Sequence, residues 1–132
     1  MFKNLINYWR NIKTTGMIMP TSSFALEKMT EDADLQTAKV ILEYGAGEGT
    51  TTKYVLERMG KDTKLFAFEI NEEFVIELNK IGDERLTVLS CGAEQATEEM
   101  AKRGIQEVDY IFSYIPITFL KRELTAEIVK KS

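Results

Sequence analysis

Short, almost uninterrupted apolar runs that alternate with stretches of helical spacing predict an α/β fold built on a parallel sheet. KVILEY (39–44), KLFAFEI (64–70) and LTVLS (86–90) are rich in aliphatic, β-branched and aromatic residues and barely alternate, and VDYIFSYI (108–115) has the same texture. Lack of alternation means burial on both faces, which a sheet reaches when helices cover its two sides. The helical stretches between the runs then act as right-handed crossovers between parallel strands. A chain of 132 residues, 44% of them hydrophobic, has material for one core and no room for a second domain. Residues 1–132 are therefore expected to form a single unit, with an N-terminal helical extension over 1–30 and the α/β core over 38–132.

In order along the chain, the first segment differs in texture from the rest. Phe2, Leu5, Ile6, Trp9 and Ile12 fall on one helical face, while Lys3, Arg10 and Lys13 make the stretch basic. Two readings stay open: a helix seated on an anionic membrane surface, or one that packs its apolar face over the sheet or a ligand. After Gly16 and Pro20, Thr21 or Ser22 can cap a helix through Met29. The first crossover helix is expected over Thr50 to Met59, with Thr50 or Thr51 as cap, Tyr54, Val55 and Met59 as its apolar stripe and Gly60 as its stop. The second starts at the cap Asn71, carries Glu72 and Glu73 in its first turn where the helix dipole favours acids, buries Phe74, Leu78 and Ile81, and stops near Gly82. The third spans roughly Ala93 to Arg103 before Gly104, and the last, roughly Phe119 to Lys131, spaces Leu120, Leu124 and Ile128 helically.

Composition removes whole classes of chemistry. With no histidine, imidazole-based triads, Cys-His nucleophiles and His-ligated metals are excluded. The single cysteine, Cys91, can form neither an internal disulfide nor a multi-thiolate site, which suits a reducing interior. Seventeen Lys and Arg against twenty-one Asp and Glu leave a net charge of −4, which gives no support to a polyphosphate-binding surface. No signal peptide is legible and no apolar run approaches the roughly 20 residues of a membrane-spanning helix. A cytoplasmic location, soluble or peripheral on the inner face of the membrane, is the expectation.

The stretch VILEYGAGEG carries the chemistry. A buried strand runs into Gly45, Gly47 and Gly49 and then into a helix, so the backbone can turn sharply and approach a ligand closely. Glu69 ends the next strand twenty positions after Gly49, where an acid accepts hydrogen bonds from ribose hydroxyls. Glu48, inside the loop, would repel a pyrophosphate, which argues against a dinucleotide. A cofactor with no phosphate and a cationic centre fits better, S-adenosylmethionine being one, and Glu43 points the same way.

E-Y-G-A-G-E-G resembles motif I of class I S-adenosylmethionine-dependent methyltransferases, and F-A-F-E-I-N resembles their acidic second motif. M-P-T-S-S-F before the first strand and S-Y-I-P after the fourth resemble the P-S-S and S-G-L-P signatures of bacterial phospholipid N-methyltransferases. Those enzymes methylate phosphatidylethanolamine and are relatives of the ribosomal RNA adenine dimethylases. The resemblance spans about residues 14 to 130. It implies a Rossmann-like methyltransferase fold with a partial parallel sheet of about four strands in the order 3-2-1-4 and helices on both faces. It also implies that Gly45, Ala46, Gly47 and Gly49 line the methionine and ribose of S-adenosylmethionine, with Glu43 near its amino group and Glu69 and Ile70 at the ribose. Ala93 and Glu94 would lie near the adenine, and Ser113, Tyr114 and Pro116 would border the transferred methyl. No metal is implied; without histidine, a tyrosine, a carboxylate or solvent must take the proton from an ethanolamine ammonium, and Tyr8 and Tyr114 are the residues singled out.

Three departures qualify the resemblance. Base-directed amino methyltransferases carry N/D-x-P-F/Y at the fourth strand, whereas this chain reads Tyr114-Ile115-Pro116-Ile117, which disfavours nucleic-acid methylation. The third motif supplies an acid to the adenine in a G-D-A context, but Cys91-Gly92-Ala93 has glycine there, leaving Glu94 or Gln95 as substitutes. The family sheet has seven strands against four here, so the chain is expected to be C-terminally shortened. Its fourth strand becomes an exposed apolar edge that a partner, a second copy included, would cover. The alternative to an active lipid methyltransferase is a shortened module that binds S-adenosylmethionine or a partner without turnover.

Overall fold

The computed structural model describes residues 16–18, 23–31 and 33–113. The elements are β1 (Gly16–Ile18), α1 (Ser23–Thr30), β2 (Val40–Tyr44), α2 (Thr50–Arg58), β3 (Lys64–Phe68), α3 (Glu72–Asn79) and β4 (Leu86–Leu89), then a 3-10 turn (Ala93–Gln95) leading into α4 (Ala96–Lys102), and β5 (Tyr110–Ser113). They form one sheet in the order β1-β5-β2-β3-β4 with every pairing parallel. The four strands expected from the sequence are present in the 3-2-1-4 order.

The fifth strand is a correction. Gly16, Met17 and Ile18 pair with Tyr110, Ile111 and Phe112, so β5 is interior and its apolar edge is covered by the chain itself. The reason for a partner at that edge falls away. The stretch 1–30 is accordingly not helical throughout, because three extended residues lie within it. Among the described residues the outer strand on the other side is β4, and its residues are only half-buried despite their apolar character. Double burial holds for β2, whose five residues are all buried, because β3 and β5 flank it and helices cover both faces.

Strand alternation sorts the core into two layers. Val40, Leu42, Tyr44, Phe66, Phe68 and Ile111 pack with Ala93, Ala96 and Met100 of the turn and α4. Ile41, Leu65 and Phe112 pack on the opposite side with Leu26 of α1, with Val55 and Leu56 of α2, and with Met59. Each large side chain removed from water contributes roughly 1.5–3 kcal/mol. Exposed pairs such as Lys28–Glu31 and Lys80–Glu77 contribute at most about 1 kcal/mol, so burial holds the fold.

Helix ends show what the sequence reading identified and what it mistook. Asn71 caps α3 as expected, its Oδ1 accepting from the N–H groups of Glu73 at 2.9 Å and Phe74 at 3.4 Å. Of the expected buried face, Leu78 is fully buried while Phe74 and Ile81 are half-buried. The cap of α2 is Gly49, with no side-chain cap bond, instead of Thr50 or Thr51; Thr51 and Thr52 are buried. Gly60 does more than stop that helix, because a Cβ there would collide with the Gln36 carbonyl. Helix α1 covers Ser23–Thr30, while its expected caps Thr21 and Ser22, the basic first helix and the last helix lie outside the described residues.

Candidate active site

At the C-terminal ends of β2 and β3 the chain folds polar backbone and two acids into a small volume. After Tyr44 the backbone takes φ of 71° at Gly45, 57° at Gly47 and 90° at Gly49, values that side chains of L-residues strongly disfavour. The turn is held against the neighbouring strand: the N–H groups of Gly45 and Ala46 both donate to the Phe68 carbonyl, at 2.9 and 3.3 Å. Close packing adds a second constraint, since a Cβ on Gly49 would stand 3.1 Å from Leu78 of α3.

Glu69, the residue after β3, clamps this loop. Its Oε1 accepts from the Gly47 N–H at 2.7 Å and its Oε2 from the Asn71 N–H at 2.9 Å. The carboxylate thus joins the glycine turn to the start of α3, and it is 8% exposed. Ile70 follows with 74% of its surface in water, the most exposed large hydrophobic side chain among the described residues. Ala46 is buried with Ala67 and Leu78, which leaves its backbone as the part facing a ligand.

Glu43 is fully buried on β2. Its Oε1 accepts from the Thr52 hydroxyl on α2, and its Oε2 has no hydrogen-bond partner among the described residues. Loss of hydration pushes the carboxyl up to about 8; the Thr52 hydrogen bond opposes this and the neighbouring Glu69 charge adds to it. A buried orphan oxygen at the mouth of a glycine turn is the feature a cationic ligand group would complete.

After β4, Gly92 and the Glu94 carboxylate lie close together. A Cβ on Gly92 would collide with the carboxylate of Glu94, so Glu94 stands over the space where a side chain at 92 would begin. Glycine at 92 is what admits it. Ala93 itself is buried in the core layer beneath. Ser113 closes β5 opposite Tyr44 in the register, buried, at the same end of the sheet. Tyr8, Tyr114 and Pro116 lie outside the described residues.

The structure therefore brings together Glu43, the glycine turn, Glu69, Ile70 and Ser113 at the strand ends. Sequence reasoning missed Thr52 and the backbone of Asn71. The signal for Thr52 lies in its place on the inward face of an amphipathic helix, where a buried hydroxyl needs a partner; only Thr50 and Thr51 are expected as caps.

A family model for ribosomal RNA adenine dimethylases matches residues 18–108, well over half of the chain. Over 98% of its length the chain is 22% identical to an ornithine lipid N-methyltransferase of Singulisphaera acidiphila, of which it spans 68%. It is 32% identical over 65 residues to a ribosomal RNA small subunit methyltransferase H of Bordetella petrii, spanning 48% of this chain and 18% of that one. Among solved structures, an S-adenosylmethionine-dependent methyltransferase from Aquifex aeolicus aligns with a TM-score of 0.41 at 28% identity, over 48% of this chain and 36% of that one. The chain belongs to the ribosomal RNA adenine dimethylase family of class I methyltransferases, whose cofactor is S-adenosylmethionine.

Proposed function

We propose that the protein N-methylates the amine of a lipid headgroup, such as that of phosphatidylethanolamine, at a membrane surface. The observation that carries this reading is the similarity to a lipid N-methyltransferase along 98% of the chain, where the similarity to a ribosomal RNA enzyme is confined to 48% of it. The Ser113-Tyr114-Ile115-Pro116 sequence, in place of the base-holding N/D-x-P-F/Y, and the net charge of −4 support it. No helix among the described residues is long and apolar enough to cross a membrane, so lipid would be met at the surface, through the basic amphipathic residues 2–13.

S-adenosylmethionine, when bound, supplies a methyl group made electrophilic by its cationic sulfur. Glu69 holds the glycine turn in place, and the backbone of Gly45, Ala46, Gly47 and Gly49 receives the amino-acid and ribose portion. Glu43 would meet a cationic part of the cofactor, Ile70 would lie beside the ribose, and Ala93 and Glu94 would border the adenine. By the family resemblance, Ser113, Tyr114 and Pro116 would border the side from which the acceptor amine approaches. Tyr114 or Tyr8 takes the ammonium proton, since an amine must be neutral to act as a nucleophile. Holding nucleophile, carbon and leaving group in line contributes most of the rate.

The test offers the purified chain radiolabelled S-adenosylmethionine with vesicles of phosphatidylethanolamine and anionic lipid or, separately, with ribosomal RNA. Label in extracted lipid is expected. Label only in RNA would replace the acceptor, and tight cofactor binding with no transfer to either would favour a binding module.

A further inference from the structure

We infer that Glu43 couples cofactor uptake to proton release: the buried carboxyl yields its proton to solvent as a cationic group of S-adenosylmethionine settles beside its unpaired oxygen. The inference rests on the cofactor assignment and deepens it, because it gives this side chain a charge that changes on binding.

The geometry leaves little alternative for the unliganded protein. Glu43 is 0% exposed, so no solvent compensates a negative charge. Thr52 satisfies one oxygen, and among the described residues nothing satisfies the other. Across the sheet its register partners are Ala67 and Phe112, both apolar. Among the described residues the charge that acts on it is Glu69, two residues beyond Ala67 and of the same sign. Two neighbouring carboxyls, one without water or cation, cannot both ionise cheaply, and Glu69 is already fixed as acceptor of two backbone N–H groups. The proton therefore resides on Glu43, in keeping with its titration near 8. A cation placed at the strand ends reverses this balance. The Glu43 O–H bond breaks, the proton passes to solvent, and the carboxylate pairs with the arriving charge. Below the titration point of the free protein, affinity then rises by up to about tenfold per unit of pH.

The experiment has two arms. In the first, the unliganded protein carrying carbon-13-labelled glutamate is titrated by NMR; one carboxyl, absent in Glu43→Gln, is expected to change charge near pH 8. In the second, calorimetry with S-adenosylmethionine at pH 7 is run in phosphate and in Tris, whose different ionisation heats count protons. Close to one proton released per cofactor is expected, with none in Glu43→Gln, which should also bind more weakly and without pH dependence. Glu43→Gln keeps the neutral shape of the native carboxyl, so it should fold. Tight binding with no proton released, or a Glu43 already ionised at pH 6, overturns the inference while leaving the cofactor standing. A normal titration near pH 8 with no binding at all would remove the cofactor assignment and the coupling with it.

Discussion

The two ends of the sheet treat their polar groups in opposite ways. At the N-terminal ends, the buried polar side chains of the described residues are paired within the chain. Asp109 Oδ2 accepts from the N–H groups of Lys39 and Val40, Thr63 Oγ1 donates to the Ala38 carbonyl at 2.6 Å, and Arg85 reaches three carbonyls at the end of α2. A depression of about 690 Å³ lies there, but it mixes Lys39, Lys64, Arg85 and Arg103 with Asp62 and Glu84. None of its side chains holds a buried unpaired polar atom. At the C-terminal ends, three glycines hold left-handed backbone, Ile70 stands in water, and Glu43 keeps an oxygen unpaired. One end is closed on itself and the other is incomplete. The unsatisfied carboxylate oxygen, and not this depression, is what marks a site among the described residues.

The largest effect expected from breaking this contrast is at Glu69. Alanine removes two hydrogen bonds to a charged acceptor, each contributing about 1.5–3 kcal/mol. It frees the Gly47 turn at the moment a ligand needs it, so affinity for S-adenosylmethionine should fall about 100-fold or more by calorimetry. Unaltered binding would mean that the turn is a structural device only. The melting temperature of Glu69→Ala should fall as well, because both hydrogen bonds are made within the unliganded chain, so the binding loss is read at a temperature where the variant is folded.

Glu43 gives the next largest effect, and its sign separates the two ends. Its folded-state titration is raised from 4.5 to about 8, so between those values the native chain binds more protons than the unfolded one. Stability from this group is therefore full at low pH and is lost as pH rises through that window, by up to about 1.4 kcal/mol per unit. Asp83, held low by its hydrogen bonds from Arg85, works in the opposite direction but lies at the closed end, half-buried beside its partner. Urea melts of the unliganded protein at pH 5.5, 7 and 8.5 should show a decline that Glu43→Gln flattens, leaving the variant the more stable of the two at pH 8.5. A decline of equal slope in both would place the titration elsewhere.

Legibility followed the same division. Four strands could be read because burial on both faces writes continuous apolar runs, and β1 could not because three residues carry no pattern; its pairing partners at 110–112 are what make it a strand. Glu69 was legible from its distance to the glycine turn. The protonation of Glu43 was not, because it depends on the absence of a second partner, which only packing determines. Thr52 has no role in the sequence reading, which places the cap at Thr50 or Thr51, and Gly60 is read there as a helix stop; the structure uses Thr52 to bond Glu43 and Gly60 to pack against the Gln36 carbonyl. Tyr8, Tyr114 and Pro116 came from the resemblance alone.

Gly60 tests the closed end next. Alanine at this position would drive its methyl into the Gln36 carbonyl, part of the backbone and unable to swing aside. A loss of about 1–3 kcal/mol in unfolding free energy is expected, with cofactor affinity unchanged. If Gly60→Ala melts like the wild type, the residue is a simple helix stop as its sequence position suggests.

The smallest effect belongs to Arg85. Its guanidinium donates to the carbonyls of Leu56, Met59 and Gly60, groups at the C-terminus of α2 that lack helical partners, while Asp83 fixes the other side of the fork at 2.7 Å. The positive charge suits the negative end of the helix dipole, and the arrangement ties the start of β4 to the end of α2 across 25 to 29 residues of chain. Because the side chain is only half-buried, water replaces part of what is lost, and Arg85→Ala should cost about 1 kcal/mol. Arg85→Lys should recover little of it, since one ammonium cannot reach three carbonyls and a carboxylate in the same plane. Equal stability of the lysine variant and the wild type would show that charge at the helix end, and not the fork, is what β4 contributes to α2.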